Sequence, residues 1–186
     1  MRHIVVRVKP LHDFLSNDHD RLDVLLVACL RRDGTVDMDQ YAEFRSGLLR
    51  HIAIEERVLF PAIRAKRGSS DLIEQLHRDH AALAALLVPP PAAAEIEQIR
   101  AILREHNPLE EEADGLYEIA EEVAGAELSA MVAAANAIPI VAVAPHVDTA
   151  ITREAIEKLV REAEEGRRRV PSPGLRPPSP ASGRGH

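Results

Sequence analysis

The sequence predicts an all-α protein, an antiparallel up-down-up-down four-helix bundle with a C-terminal extra helix. Three observations lead there. Apolar residues recur at intervals of three and four from residue 11 to about 135, the spacing that lines one face of a helix. The breaks between these runs are short, and short connections favour antiparallel neighbours. A last charged segment, 149–167, resumes the helical pattern after an interval without it.

The elements follow in order. Residues 1–10 form an N-terminal extended segment with a β-like run at 4–8 closed by Pro10. The bundle occupies 11–135. Its first helix, about 12–31, carries Leu15, Leu22, Leu26 and Cys29, and the turn Arg32-Asp33-Gly34-Thr35 ends it. The second, about 38–66, carries Phe44, Leu48, Ile52, Leu59 and Ile63. Gly68-Ser69-Ser70-Asp71 is a turn followed by an N-cap, and it opens the third helix, 71–88. Pro89-Pro90-Pro91 cannot be helix interior, so the fourth helix starts near 92 and runs to 107, with a continuation beyond Pro108. Residues 136–169 form an extended segment and the C-terminal helix. The second β-like run, 138–143, is expected to pair with the first as a small ribbon. The tail 170–186 is rich in Pro, Ser, Gly and Arg and has nothing to bury, so it reads as disordered.

Composition excludes several classes of function. The chain has 186 residues, 30 acids and 23 bases. Five of those bases lie in 166–186, which leaves 18 against 30 in residues 1–165, a balance of -12. A bundle that acidic is no nucleic-acid binder, because phosphate affinity comes from basic clusters. One cysteine, Cys29, makes no disulfide framework and no thiolate metal site, and it reads as core packing. No apolar run approaches a membrane span, and the N-terminus does not resemble a secretory signal. The expectation is a soluble cytoplasmic protein with no nucleic-acid or membrane partner; a protein partner is unknown.

Nine histidines remain. His3, His12, His146 and His186 fall at ends, a helix start or a loop and read as surface residues. The others sit on helices. His19 shares a stripe with Leu15, Leu22 and Leu26, and His80 with Leu76, Leu83 and Leu87. His51 precedes Glu55 by four residues, and His106 precedes Glu110 by four. Residues four apart project from the same face, so each HxxxE pair aims an imidazole and a carboxylate at one point. The order is a helix with an inward histidine, a turn, then a helix with HxxxE, and it occurs twice. A lone histidine on an apolar stripe is more often a hydrogen-bonded core residue; four aligned with two such pairs are not. Folded as a bundle, these helices place four imidazoles and two carboxylates around one cavity. Buried glutamates need compensating charge. Two carboxylate-bridged metal ions supply it, and mixed nitrogen/oxygen ligation suits iron, with manganese or zinc as alternatives.

In these residues the chain resembles the hemerythrin-like, or HHE cation-binding, family. The likeness covers about 11–123 and centres on NDHDRLDVLL, HIAIEERVLFPAI, LHRDHAALAALL and EHNPLEEEADGLY. It implies a non-haem di-iron centre held by His19, His51, Glu55, His80, His106 and Glu110, with the glutamates bridging and an open position for oxygen. Oxygen-carrying members have a second histidine four residues before the one matched by His80. Leu76 stands there, and His77 is the candidate in its place. Pro108, between His106 and Glu110, predicts a kink or a restart of the helix, with Glu111 the rival of Glu110. Three functional readings follow. The first is a metal-binding protein that binds or senses oxygen, nitric oxide, peroxide or iron, and it is more in keeping with the sequence than an enzyme. The second is a di-iron oxidase or peroxidase-like enzyme, and the third a metal-free helical interaction module.

Overall fold

A computed structural model of the chain describes residues 9–169, and the described residues are all-helical, with no strand. Helix α1 spans Pro10–Cys29. Helix α2, Met38–Ile54, passes through a π-helical turn, Glu55–Leu59, straight into α3, Phe60–Arg67. Helix α4 spans Asp71–Leu86 and α5 Ala93–Glu111. After a turn come α6, Leu116–Ala124, a 3-10 turn Gly125–Glu127, and α7, Leu128–Ala137. Helix α8, Ala150–Arg167, closes the described chain. Helix α1 packs on α2, α4 on α5, and α8 on α4.

The starts of these helices have local causes. Asp37, Ser70 and Thr149 each accept a backbone N–H three residues on, at Gln40, Ile73 and Thr152, as N-cap residues do. Helix α1 has no such cap of its own. Glu121, from α6, supplies one, taking the N–H groups of Leu11 and His12 at 3.0 and 3.2 Å. That long-range cap ties α6 to the first turn of α1.

Three expectations about the backbone need correction. The second helix is not regular: the Phe60 N–H bonds Glu55 O, five residues back. The widened turn admits Pro61, whose ring would otherwise press on the Arg57 carbonyl. It also turns both Leu59 and Phe60 inward. Second, Pro108 neither ends nor restarts the fourth helix, which runs through it to Glu111. The break comes at 112–115, where Asp114 has φ 64°. A Cβ on Gly115 would lie 2.7 Å from the carbonyl oxygens of Glu110 and Glu112. Third, residues 138–143 form no strand. Their carbonyls, with that of Ala144, are held by side chains of α2: Arg45 donates to Ala144, Ser46 to Val141 and Arg50 to Ile138, at 2.6, 2.7 and 2.9 Å. Side-chain donors replace the ladder that a partner strand would have offered. The run 4–8, His3, His186 and the tail 170–186 lie outside the described residues.

Two apolar clusters fill the bundle. One contains Leu22, Leu26, Leu48, Leu83, Ile99 and Ile102. The other contains Leu15, Ile54, Leu59, Leu76, Leu109 and Tyr117. Each inward histidine falls at the junction: His19 between Leu15 and Leu22, His51 between Leu48 and Ile54, His80 between Leu76 and Leu83, His106 between Ile102 and Leu109. The fold thus places a polar layer between two greasy ones.

Candidate metal centre

Six side chains meet in that layer. Donor atoms of His19, His51, Glu55 and Glu110 lie within 4.8 Å of one another, and so do those of Glu55, His80, His106 and Glu110. All six residues are buried, both glutamates completely. The two groups share their carboxylates, one oxygen each way. Glu55 turns Oε1 to His51 Nε2 at 3.2 Å and Oε2 to His80 Nε2 at 3.0 Å. Glu110 turns Oε2 to His19 Nε2 at 3.3 Å and Oε1 to His106 Nε2 at 3.0 Å.

The opposite nitrogen of every imidazole meets a further carboxylate. His51 Nδ1 lies 3.0 Å from Asp18, His80 Nδ1 2.9 Å from Glu56, and His106 Nδ1 3.3 Å from Asp79. His19 Nδ1 is paired with Glu111. Such partners set the tautomer and the angle of the ring and leave Nε2 free to ligate. Sequence reading missed three of these four carboxylates and gave the fourth, Glu111, another task. The signal was present, because each is the chain neighbour of an inward residue: Asp18 of His19, Asp79 of His80, Glu56 of Glu55, Glu111 of Glu110. Neighbours on a helix point about 100° apart, so each reaches towards the next helix. His77 joins neither group. It is half-exposed and bonds Glu56 at 2.8 Å.

Tyr117 was also missed. Its hydroxyl sits 2.9 Å from Glu55 Oε1 and 3.2 Å from Glu110 Oε2, with His19 and His51 Nε2 at 3.2 and 3.3 Å. The break at 112–115 and the Glu121 cap carry it there. Phe60 holds the corresponding place in the first half of the bundle, stacked at 5.6 Å on His80. The pairing of Leu59-Phe60 with Leu116-Tyr117 after the two HxxxEE motifs was the available clue. His12 is not a surface residue either. It is partly buried, meets Glu111 O at 3.0 Å and packs edge-on against Tyr117. His146 is likewise partly buried, its ring stacked on Tyr41.

The electrostatics are those of a charged layer in a dry place. Burial opposes protonation of His51, but Glu55 and Asp18 outweigh it and push the imidazole up to about 9. Burial likewise works against ionised Asp18, yet His51 and Arg21 hold it down to about 2. Against desolvation, Glu110, Glu55 and Glu56 raise His80 well above its ordinary range, and His106, His19 and His80 lower Glu110 well below its own. Burial and the two carboxylates together drive the Tyr117 hydroxyl well up, so it stays protonated. His19 and His106 are likewise raised against burial, by Glu110 with Glu111 and by Glu110 with Asp79.

The donor set fits a pair of metal ions. Glu55 Oε2, Glu110 Oε1 and His80 Nε2 are fully buried and, though they face one another or His106 as ion pairs at 3.0–3.8 Å, make no well-aligned hydrogen bond among the described residues. Buried polar atoms are rarely left so, and all three face the same point as His106 Nε2. A helical protein with four imidazoles and two shared carboxylates in its core is built to bind cations. A model of the hemerythrin HHE cation-binding domain matches residues 11–115, more than half of the chain, and the protein belongs to that family. Comparison with curated proteins gave no match, and comparison with solved structures gave none.

Proposed function

We propose that this protein holds two iron ions, one at His19, His51, Glu55 and Glu110 and the other at His80, His106, Glu55 and Glu110, and uses them to bind or sense a small oxygen or nitrogen species. One observation carries the reading: each glutamate divides its two oxygens between the two histidine pairs. That is the disposition of a bridge. Imidazole with carboxylate favours iron, with manganese or zinc as the alternatives. The antiparallel four-helix order, with α8 as an addition on α4, belongs to the same proposal, as does the boundary of the bundle at 11–135.

When bound, iron would supply a redox-active ion with room for a diatomic ligand or peroxide. The protein supplies the rest. Asp18, Glu56, Asp79 and Glu111 hold the four imidazoles with Nε2 inward. Tyr117 keeps a proton at Oη, between Glu55 Oε1 and Glu110 Oε2, where it can be offered as a hydrogen bond to a small molecule in the layer. Leu15, Leu59 and Leu76 pack on one side of the layer and Leu22, Leu48 and Leu83 on the other. Access runs through a cleft of about 610 Å³ between α1 and α5, lined by His19, Leu22, Leu26, Leu103, Pro108 and Glu111.

Anaerobic loading with iron(II), metal analysis, and an optical spectrum before and after admission of air test the reading. About two irons per chain and an oxygen-dependent visible band are expected; a chain that retains no iron overturns it. The Tyr117 proton favours a second reading, a di-iron oxidase or peroxidase-like enzyme. Sustained consumption of oxygen or peroxide beyond one turnover per site distinguishes it from a binding protein. A metal-free interaction module would show no change in thermal stability with iron.

A further inference from the structure

We propose that Arg167, at the end of the C-terminal helix, is a positioning residue for His106, so that docking of α8 and occupancy of the His80/His106 metal position reinforce each other. The proposal rests on the metal-binding reading above and adds a segment that lies beyond the family match at 11–115.

A short chain of contacts carries it. Asp79 is fully buried, and its Oδ2 faces His106 Nδ1 at 3.3 Å. Its Oδ1 takes two donors from elsewhere: Arg167 Nη1 at 2.6 Å and Gln75 Nε2 at 2.8 Å. Gln75 Nε2 also lies 3.0 Å from the Ala163 carbonyl, so it bridges α4 and α8. The approach is close. A Cβ on Gly166 would stand 2.1 Å from Gln75 Oε1 and 2.6 Å from Arg78 Nε. Ile156, Val160 and Ala163 seat the rest of α8 in the same core cluster as Ala82, Leu83 and Leu86 of α4.

The other half of the centre is built differently. Asp18, the counterpart of Asp79, is steadied by Arg21 of its own helix, and that side chain is 44% exposed. Asp18 keeps some contact with water and needs nothing from outside α1 and α2. Asp79 has no water to share its charge. An ionised carboxylate in a dry site is held only by paired donors, and one of the two besides His106 comes from α8. With α8 displaced, Asp79 would lose its strongest partner, and His106 would lose the group that fixes its ring. Loss of such an outer partner commonly weakens metal binding by about 10–100-fold.

The experiment uses the full chain, iron(II) under anaerobic conditions, equilibrium dialysis for stoichiometry and affinity, and hydrogen exchange read on α8. The variants are Arg167→Met, Arg167→Lys and, as a control on an exposed site of α8, Lys158→Met. In the unaltered protein, iron should slow exchange across the second half of α8. Arg167→Met should weaken one of the two irons at least tenfold, leave the other as it was, and abolish the iron-dependent slowing. Arg167→Lys should restore part of both, and Lys158→Met should change neither. Equal binding of both irons by Arg167→Met overturns the proposal. So does α8 exchange that ignores iron in the unaltered protein, a measurement that needs no variant to fold. Failure of the unaltered chain to take up iron overturns the metal reading itself and is seen before any variant is made.

Discussion

Replacing Tyr117 by Phe removes one oxygen from the middle of the polar layer and leaves the ring to fill its place. In the metal-free protein that oxygen donates to a buried carboxylate, Glu55 Oε1 at 2.9 Å or Glu110 Oε2 at 3.2 Å. A hydrogen bond to a charged group contributes about 1.5–3 kcal/mol, and Tyr117 is fully buried. At about 2–4 °C per kcal/mol for a chain of this size, the metal-free Tyr117→Phe variant should melt some degrees lower, on the order of 5 °C. Metal in the layer alters the balance, because the carboxylates then have cations to face and no longer depend on one hydroxyl. The penalty should shrink to about 0.5–1.5 kcal/mol, the range of an ordinary hydrogen bond. Differential scanning calorimetry of both proteins, with a chelator and with iron(II) under nitrogen, measures all four transitions. Equal losses with and without iron would refute the reasoning, as would no loss in the chelated protein.

Other expectations follow from the same geometry. Glu55 serves both histidine pairs and His106 only one, so Glu55→Ala should abolish iron uptake while His106→Ala leaves about one iron per chain by metal analysis. Gly115→Ala forces a Cβ onto two backbone oxygens and should cost about 1–3 kcal/mol in urea unfolding. It should also disturb Tyr117 fluorescence, which is legible because the chain has two tyrosines and no tryptophan. Acidity should act oppositely on the two forms. His51 is raised to about 9 in the metal-free fold, so its stabilising contribution is complete below its unfolded value near 6.5 and is lost as pH rises through 9. Asp18 is depressed to about 2, so its contribution is present above about 4 and is lost as pH falls through 2. Metal competes with the histidine protons, so the rise in melting temperature on adding iron should grow between pH 6.5 and 9. A rise that stays flat or shrinks over that range would contradict the proton-for-metal exchange.

Much of this centre was legible because helical periodicity is a strong rule. A histidine that falls into a run of leucines at three and four has to point inward, and all six inward-facing residues inferred in that way meet in one layer. What escaped depended on departures from the rule. The π turn at 55–59 and the break at 112–115 each shift the register after a glutamate, and a fixed period carries Phe60 and Tyr117 to the wrong faces. The outer carboxylates escaped for another reason. They lie on the flanks of their helices, where charge ordinarily means solvent, and only the neighbouring helix reveals their partners. The β-like run at 138–143 was read from composition, whereas its conformation is set by three side chains of α2 far away in sequence.

The outer carboxylates form a closed circuit. Asp18 on α1 serves His51 on α2, Glu56 of the following turn serves His80 on α4, Asp79 on α4 serves His106 on α5, and Glu111 on α5 returns to His19 on α1. No helix completes its own binding group, and each completes that of the next. A circuit of this kind has no first member, so chain direction is immaterial to it. Joining the ends of the bundle and reopening it in a connection between two of these four segments should leave all four pairs in place. Removing any one of the four segments α1, α2 with its π turn, α4 or α5 would spoil two imidazoles, the one it carries and the one it steadies.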